Sequence, residues 1–275
     1  PRTSSAASDV YKRQNISIVI PVFNGSKTIE ILTDNIKKNL KNTNYNFEII
    51  FIDDFSSDSS WECIEKICLK EKYIKGIKLL SNFGQHNAIM AGLNYSNGDY
   101  IIIMDDDLQH NPKYILELID KLKQGYDLCY CEYKNREHKT WKILVSIINN
   151  LILSLGTNKP FNTYASPYRG ISKIVNSKVI ENKDNFIYLD VLILNHSPKL
   201  DKINIFHEKR AEGVTQYSFF KLFKLWFQMI SCIKLNLLNS IIFFFPKVIA
   251  YLFLSYLKIF SKHKDQYLIE KKINI

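Results

Sequence analysis

The stretch GDYIIIMDDDLQHNP, residues 98–112, runs an apolar β-rich segment straight into three consecutive aspartates. Tyr100–Met104 has the unbroken apolar character of a strand covered on both faces, which is a habit of parallel sheets. PKYILELIDKLKQG (112–125) follows, with Pro in its first turn and Gly at its end, as in a helix. A strand that ends in charge and feeds a helix is the repeating unit of an α/β fold.

The same unit recurs upstream. ISIVIPVF (16–23) precedes TIEILTDNIKKNL (28–40), whose Ile29, Leu32, Ile36 and Leu40 share one helical face. FEIIFIDD (47–54) precedes SSDSSWECIEKICLK (56–70), with Asp58 or Ser59 as the expected N-cap. IKGIKLL (74–80) is a weaker strand, and GQHNAIMAGLNY (84–95) a helix of small residues suited to close packing on a sheet. This alternation, repeating about every 25 residues, predicts a parallel, doubly wound sheet flanked by helices. Ligands of such sheets bind at the carboxyl ends of strands. Asn24-Gly25, Asp53-Asp54 and Asp105–Gln109 all fall at such ends.

The second half is less regular. YDLCYCEY (126–133) and KINIFHEKR (202–210) read as strands, YASPYRGISKIV (164–175) as a turn feeding a strand, and TWKILVSIINNLILSL (140–155) and NFIYLDVLIL (185–194) as helices. After Tyr217 the composition changes, and from Leu235 to Leu257 only Lys247 is charged. As a helix, 235–260 would extend about 39 Å, enough to cross a bilayer, but Pro246-Lys247 divides it into two runs too short to span. Lys221, Lys224 and Lys234 before it and Lys258, Lys262 and Lys264 after it are symmetric flanks. Symmetry of this kind fits a kinked hairpin or interfacial helices with both ends in the cytoplasm, a buried core helix being the alternative.

The net charge of +10 asks for an anionic partner, and basic residues set beside apolar sequence favour an anionic membrane surface over nucleic acid. Cys63, Cys68, Cys129, Cys131 and Cys232 match no zinc pattern and no even disulfide framework, as expected of reduced thiols facing the cytoplasm. Residues 1–14 lack the apolar core of a signal peptide and are set aside as a disordered or artefactual leader. The expected division is a catalytic unit at 15–216, membrane-associating helices at 217–262 and a polar tail at 263–275.

Were 105–109 extended, Asp105, Asp107 and Gln109 would face one side and Asp106 and Leu108 the other. Two carboxylates and an amide oxygen suit Mg²⁺ or Mn²⁺ rather than zinc, and such ions leave positions for substrate phosphates. The competing reading is a solvated turn in which Asp107 or Asn111 caps the next helix. His86, His110, His196 and His207 are too scattered for a metal cluster and are expected to be solvated or hydrogen-bonded locally.

SIVIPVFNGSKTIE, EIIFIDDFSSDSSW, NFGQHNAIMAGLNYSNGDYIIIMDDDLQHNP, YASPYRGISKIV and HEKRAEGVTQYSFFKLFKL together resemble, in order, the blocks of a family 2 glycosyltransferase. The nearest subgroup is that of dolichol-phosphate mannose synthase and the bacterial polyprenyl-phosphate glycosyltransferases. The resemblance covers about 15–230 and implies a GT-A-like, Rossmann-like fold. It implies that Pro21, Phe23 and Asn24 line the nucleotide, with Asp53 and Asp54 bonding the nucleoside. Asp105 and Asp107 match the metal-binding D-x-D, with Gln109 as third ligand, and Asp106 is assigned to the nucleotide. Gly25 stands where the family often carries Glu, which leaves the base open. Arg169 is implied to contact phosphate. Arg210, Thr215 and Tyr217 fall in a block near the acceptor and membrane face.

The expected activity is metal-dependent, inverting transfer of a sugar from a nucleotide-diphosphate donor to a lipid acceptor, polyprenyl phosphate above all, on the cytoplasmic face of the membrane. A lipid phosphate is already an anion and needs no general base. A sugar hydroxyl in polysaccharide or lipid-linked oligosaccharide synthesis would need one, and Asp190 is the candidate. A remote alternative is a phospho-receiver domain, whose acid pair, acceptor and Lys-Pro are superficially copied by IIFIDD, IIIMDDD and Lys159-Pro160.

Overall fold

The computed structural model of the chain describes residues 15–133, 149–157, 159–182, 188–205, 229–231, 233, 246, 248–253 and 267–275. Its strands are β1 (Asn15–Val22), β2 (Asn46–Asp53), β3 (Ile74–Leu79), β4 (Tyr100–Ile103), β5 (Leu128–Tyr133), β6 (Arg169–Ser172), β7 (Leu200–Ile205) and β8 (Ile269–Ile273). They form one sheet in the order β7-β5-β6-β4-β1-β2-β3-β8. β3, β2, β1 and β4 run parallel, as the alternation predicts. β6 is antiparallel to both β4 and β5, while β7 is parallel to β5.

The helices are α1 (Ile29–Leu40), α2 (Ser60–Lys70), α3 (Gln85–Asn94), α4 (Ile115–Lys123), α5 (Lys173–Ile180) and α6 (Leu189–Asn195). One face of the sheet packs Val19, Ile50, Ile52, Ile101 and Ile103 against α3, α5 and α6. The other packs Ile18, Ile20, Ile49, Phe51 and Ile102 against α1, α2 and α4. Successive residues of a strand point to opposite faces, so covering both faces requires the unbroken apolar runs of β1, β2 and β4. At Gly92 in α3, a Cβ would meet Ile52 Cδ1 and Val19 Cγ1 at 2.6 Å, so the small-residue helix does lie close on the sheet.

The end of the chain departs from expectation. Instead of a plain polar tail, it supplies β8, antiparallel to β3. Ile269 packs on one core and Ile273 on the other, and a register shift at Lys78/Leu79 accounts for residues four apart reaching opposite faces. Asn274 Nδ2 then donates to Cys68 O (2.7 Å) and Ile74 O (2.8 Å), tying the end of α2 to β3. Most of 217–262, along with Arg210, Thr215 and Tyr217, lies outside the described residues, as does 140–148 of the helix expected at 140–155. The part of that helix at 149–156 is helical, and so is 248–253, where Ala250 is buried and Ile249, Tyr251 and Leu252 are exposed. Among the described residues no helix is long and apolar enough to cross a membrane.

Candidate active site

The loops after β1, β2 and β4 share one end of the sheet. Four described non-glycine residues have positive φ, and three of them stand in these loops: Asn24 (57°), Phe55 (64°) and Leu108 (64°). The left-handed conformation costs about 1 kcal/mol or more for such residues, a strain that gathers at working sites. The loops are also bonded together. Asn24 N–H donates to Ser56 Oγ (2.9 Å), Ser57 N–H to Asn24 Oδ1 (2.9 Å) and Gly25 N–H to Ser60 Oγ (2.9 Å). A Cβ at Gly25 would fall 1.9 Å from Asp106 Oδ2, so the acidic loop rests directly on this glycine. Asp106 therefore has a defined seat, and the missing side chain at position 25 is what makes room for it.

Asp53 is fully buried; burial raises its pKa, and hydrogen bonds from Ser56 oppose the rise. Asp54 is 4% exposed, and its two oxygens accept from Phe83 N–H (2.8 Å) and Gly84 N–H (2.9 Å). Burial pushes its pKa up to about 6 against the pull of those two bonds. Asp54 thus holds the loop that leads into α3. From the start of α3, Gln85 Nε2 reaches Asp105 Oδ1 at 2.6 Å. Sequence reasoning missed Gln85, and its one available signal was its place in the block just before the acidic stretch.

Asp105, Asp107 and Gln109 do not stand on an extended segment, contrary to the expectation of strand alternation. β4 ends at Ile103, and left-handed Leu108 bends the chain into a turn in which Asp107 Oδ1 accepts from Gln109 N–H (3.1 Å). The turn, not strand alternation, sets where these side chains go. Asn111 takes the capping role of the competing reading, accepting from Lys113 N–H (2.9 Å). Among the described residues no three His, Cys, Asp or Glu side chains are grouped to hold a metal. Asp105, Asp107 and Gln109 are partly exposed on this turn, and their two carboxylates and amide are the oxygen types that a hard cation taking its remaining oxygens from substrate would need.

Arg169 is placed differently from its expected phosphate contact. Its side chain is 2% exposed and pairs through Nη1 with Asp190 Oδ1 at the start of α6, itself 14% exposed. Tyr130 lies opposite Arg169 across the β5–β6 ladder. Beside the pair, the His86 ring packs on Tyr188, with centroids 4.7 Å apart. Burial, aided by Arg169 and opposed by Asp190, pushes the His86 pKa down to about 4, so the imidazole is neutral at pH 7. Lys159, the supposed receiver lysine, is buried and donates to Asn150 Oδ1 (2.7 Å), Pro160 O (3.1 Å) and Thr163 O (2.6 Å). Burial pushes its pKa down to about 8. With that lysine occupied and an eight-stranded mixed sheet around it, the receiver alternative has no structural footing.

Residues 17–179 match the model of glycosyl transferase family 2. The chain belongs to that family. It is a glycosyltransferase, and the mixed sheet described above is a GT-A-like fold. It is similar to the undecaprenyl-phosphate 4-deoxy-4-formamido-L-arabinose transferase of Pectobacterium carotovorum subsp. carotovorum (strain PC1), at 30% identity over 83% of this chain and 72% of that protein. The enzyme of the same description from Yersinia enterocolitica serotype O:8 is also 30% identical, over 86% of this chain and 74% of its own length. Among solved structures, glucosyl-3-phosphoglycerate synthase from Mycobacterium tuberculosis, in complex with Mn²⁺, UDP-glucose and phosphoglyceric acid, superposes with a TM-score of 0.59. That likeness covers 81% of each chain at 14% identity and concerns the fold alone. Family membership thus rests on the sequence blocks, and the fold agrees with it.

Proposed function

We propose that this family 2 glycosyltransferase moves a sugar from a nucleoside-diphosphate donor to polyprenyl phosphate at the cytoplasmic face of a membrane. The observation that carries the reading is the seating of Asp106 on Gly25, which brings the β4 acidic turn onto the β1 loop, where a nucleotide and its diphosphate would meet. Phe23 and Phe55 are exposed in these loops and offer apolar surface for a base, Asn24 is exposed beside Phe23, and Pro21, Asp53 and Asp54 are buried behind them. The relatives' acceptor, undecaprenyl phosphate, supports the choice of lipid. Exposed Ile249, Tyr251 and Leu252 near the C-terminus supply apolar surface for the membrane.

Asp105, Asp107 and Gln109 would hold a divalent cation, Mg²⁺ or Mn²⁺. When bound, it would offset the charge that develops on the leaving diphosphate. The loops orient the donor, and the acceptor phosphate, already anionic, attacks in a single inverting displacement. Arg210, Thr215 and Tyr217 are assigned to the acceptor side. Arg169 acts from beneath by holding Asp190. Transfer to a hydroxyl, with Asp190 as base, is the second reading; it is favoured only by the partial exposure of that carboxylate. The test is a panel of nucleotide sugars with polyprenyl phosphate and either ion. Transfer unaffected by Asp107→Ala would overturn the metal assignment, and transfer only to sugar hydroxyls would overturn the acceptor.

A further inference from the structure

His110 lies outside the proposed donor set, and the mechanism above does not use it. It is 3% exposed, and its ring stacks on Tyr168 with centroids 4.9 Å apart and planes 18° from parallel. Its Nδ1 accepts the Asp105 N–H at 2.8 Å, which places the proton of the neutral ring on Nε2. Tyr168 is anchored in turn: Cys131 N–H of β5 donates to its carbonyl (2.9 Å), and its hydroxyl donates to Asn111 O (2.9 Å). The imidazole is thus held by the sheet on one side and grips the acidic turn on the other. Left-handed Leu108 gives that turn a reason to relax when the grip is lost.

We infer that His110 is a positioning residue: its bond to the Asp105 main chain fixes the acidic turn against the residue preceding β6 and so presets the Asp105 and Asp107 carboxylates for a divalent cation. This rests on the metal role proposed above. Two substitutions separate the ring from the acceptor. His110→Asn keeps an acceptor oxygen near the place of Nδ1 and removes the ring, whereas His110→Phe keeps a ring on Tyr168 and removes the acceptor.

The first readout is amide exchange at Asp105 in the full, metal-free chain. We expect exchange roughly 3- to 10-fold faster in His110→Phe, the weight of one hydrogen bond, and within about 3-fold of wild type in His110→Asn. The second is binding of Mn²⁺ alone, followed by electron paramagnetic resonance. Affinity should fall roughly 3- to 10-fold in His110→Phe and be largely retained in His110→Asn. If His110 only fills space, His110→Phe will match wild type in both and His110→Asn will be the more damaging; that pattern overturns the inference. Should His110→Phe not fold, loss of Asp105 protection in His110→Asn overturns it equally. Faster exchange in His110→Phe, combined with no Mn²⁺ binding by the wild-type chain, would instead overturn the metal reading and the presetting role while leaving the clasp intact.

Discussion

Breaking the Arg169–Asp190 pair should cost more from one side than from the other. Removing one member of a buried ion pair strands the other and typically costs about 3–5 kcal/mol. Here the Arg169 side chain is 2% exposed and that of Asp190 14%. A guanidinium cannot shed its charge at accessible pH and here is sealed from solvent, whereas a carboxylate near solvent can be hydrated. Asp190→Leu should therefore lie near the upper end, about 5 kcal/mol, and Arg169→Met near the lower, about 3 kcal/mol. The double variant Arg169→Met/Asp190→Leu strands neither charge and should fall within about 2 kcal/mol of wild type, leaving a non-additivity of several kcal/mol. Urea unfolding of the four proteins, followed by circular dichroism at pH 7.5, measures the cycle. Additive single effects, or an Asp190→Leu as stable as wild type, would refute the reasoning. The result also governs how Asp190→Asn is read, because lost turnover in that variant reports a base only if the chain around Arg169 remains folded.

Other outcomes follow from the same structure. The folded pKa of Asp54, about 6, lies above the 3.8 of the free side chain, so its contribution to stability is full below pH 3.8 and is lost as pH rises through about 6. The loss is about 3 kcal/mol (about 6 less 3.8, at about 1.36 kcal/mol per pH unit), and Asp54→Asn should flatten the stability profile across that window. Gly92→Ala gains about 1 kcal/mol of helix propensity, but its Cβ meets two side-chain carbons of the sheet at 2.6 Å. Overpacking of about 1–3 kcal/mol should win, and the melting temperature should fall. Gly25→Ala pushes on Asp106 and should raise the donor KM roughly 2- to 10-fold, the cost of an off-rotamer side chain, with little change in melting temperature. Because β8 pairs with β3, a tag after Ile275 should lie on the same side of a membrane as the catalytic sheet, as protease access to sealed vesicles would show.

Much of this protein was legible in its residues. The apolar runs of β1, β2 and β4 announced strands covered on both faces, since a half-exposed strand would alternate. The polar residues at their ends pointed to the loops that meet, because a parallel sheet brings those ends together whatever else the chain does. The order of the sequence blocks carried the family. β8 was not legible: Ile269 and Ile273 are too few to mark a strand, and they become one only because β3 offers an open edge and both cores offer a place for a side chain.

The acidic triplet divides in the same way. Composition alone determined that Asp105, Asp107 and Gln109 make an oxygen-only set suited to a hard cation. Only the tertiary structure decided how they are held. Leu108 turns left-handed, so alternation ceases to apply, and residues distant in sequence take over: Gly25 beneath Asp106, Gln85 on the Asp105 carboxylate, and His110 on its main chain. Buried Arg169 gives the same lesson, since the resemblance of its sequence block implied a phosphate contact and its partner Asp190 lies 21 residues away on another element. Hydrophobic periodicity is a local property that a chain displays in its own order, whereas the partner of a buried polar group is chosen by packing across the sheet.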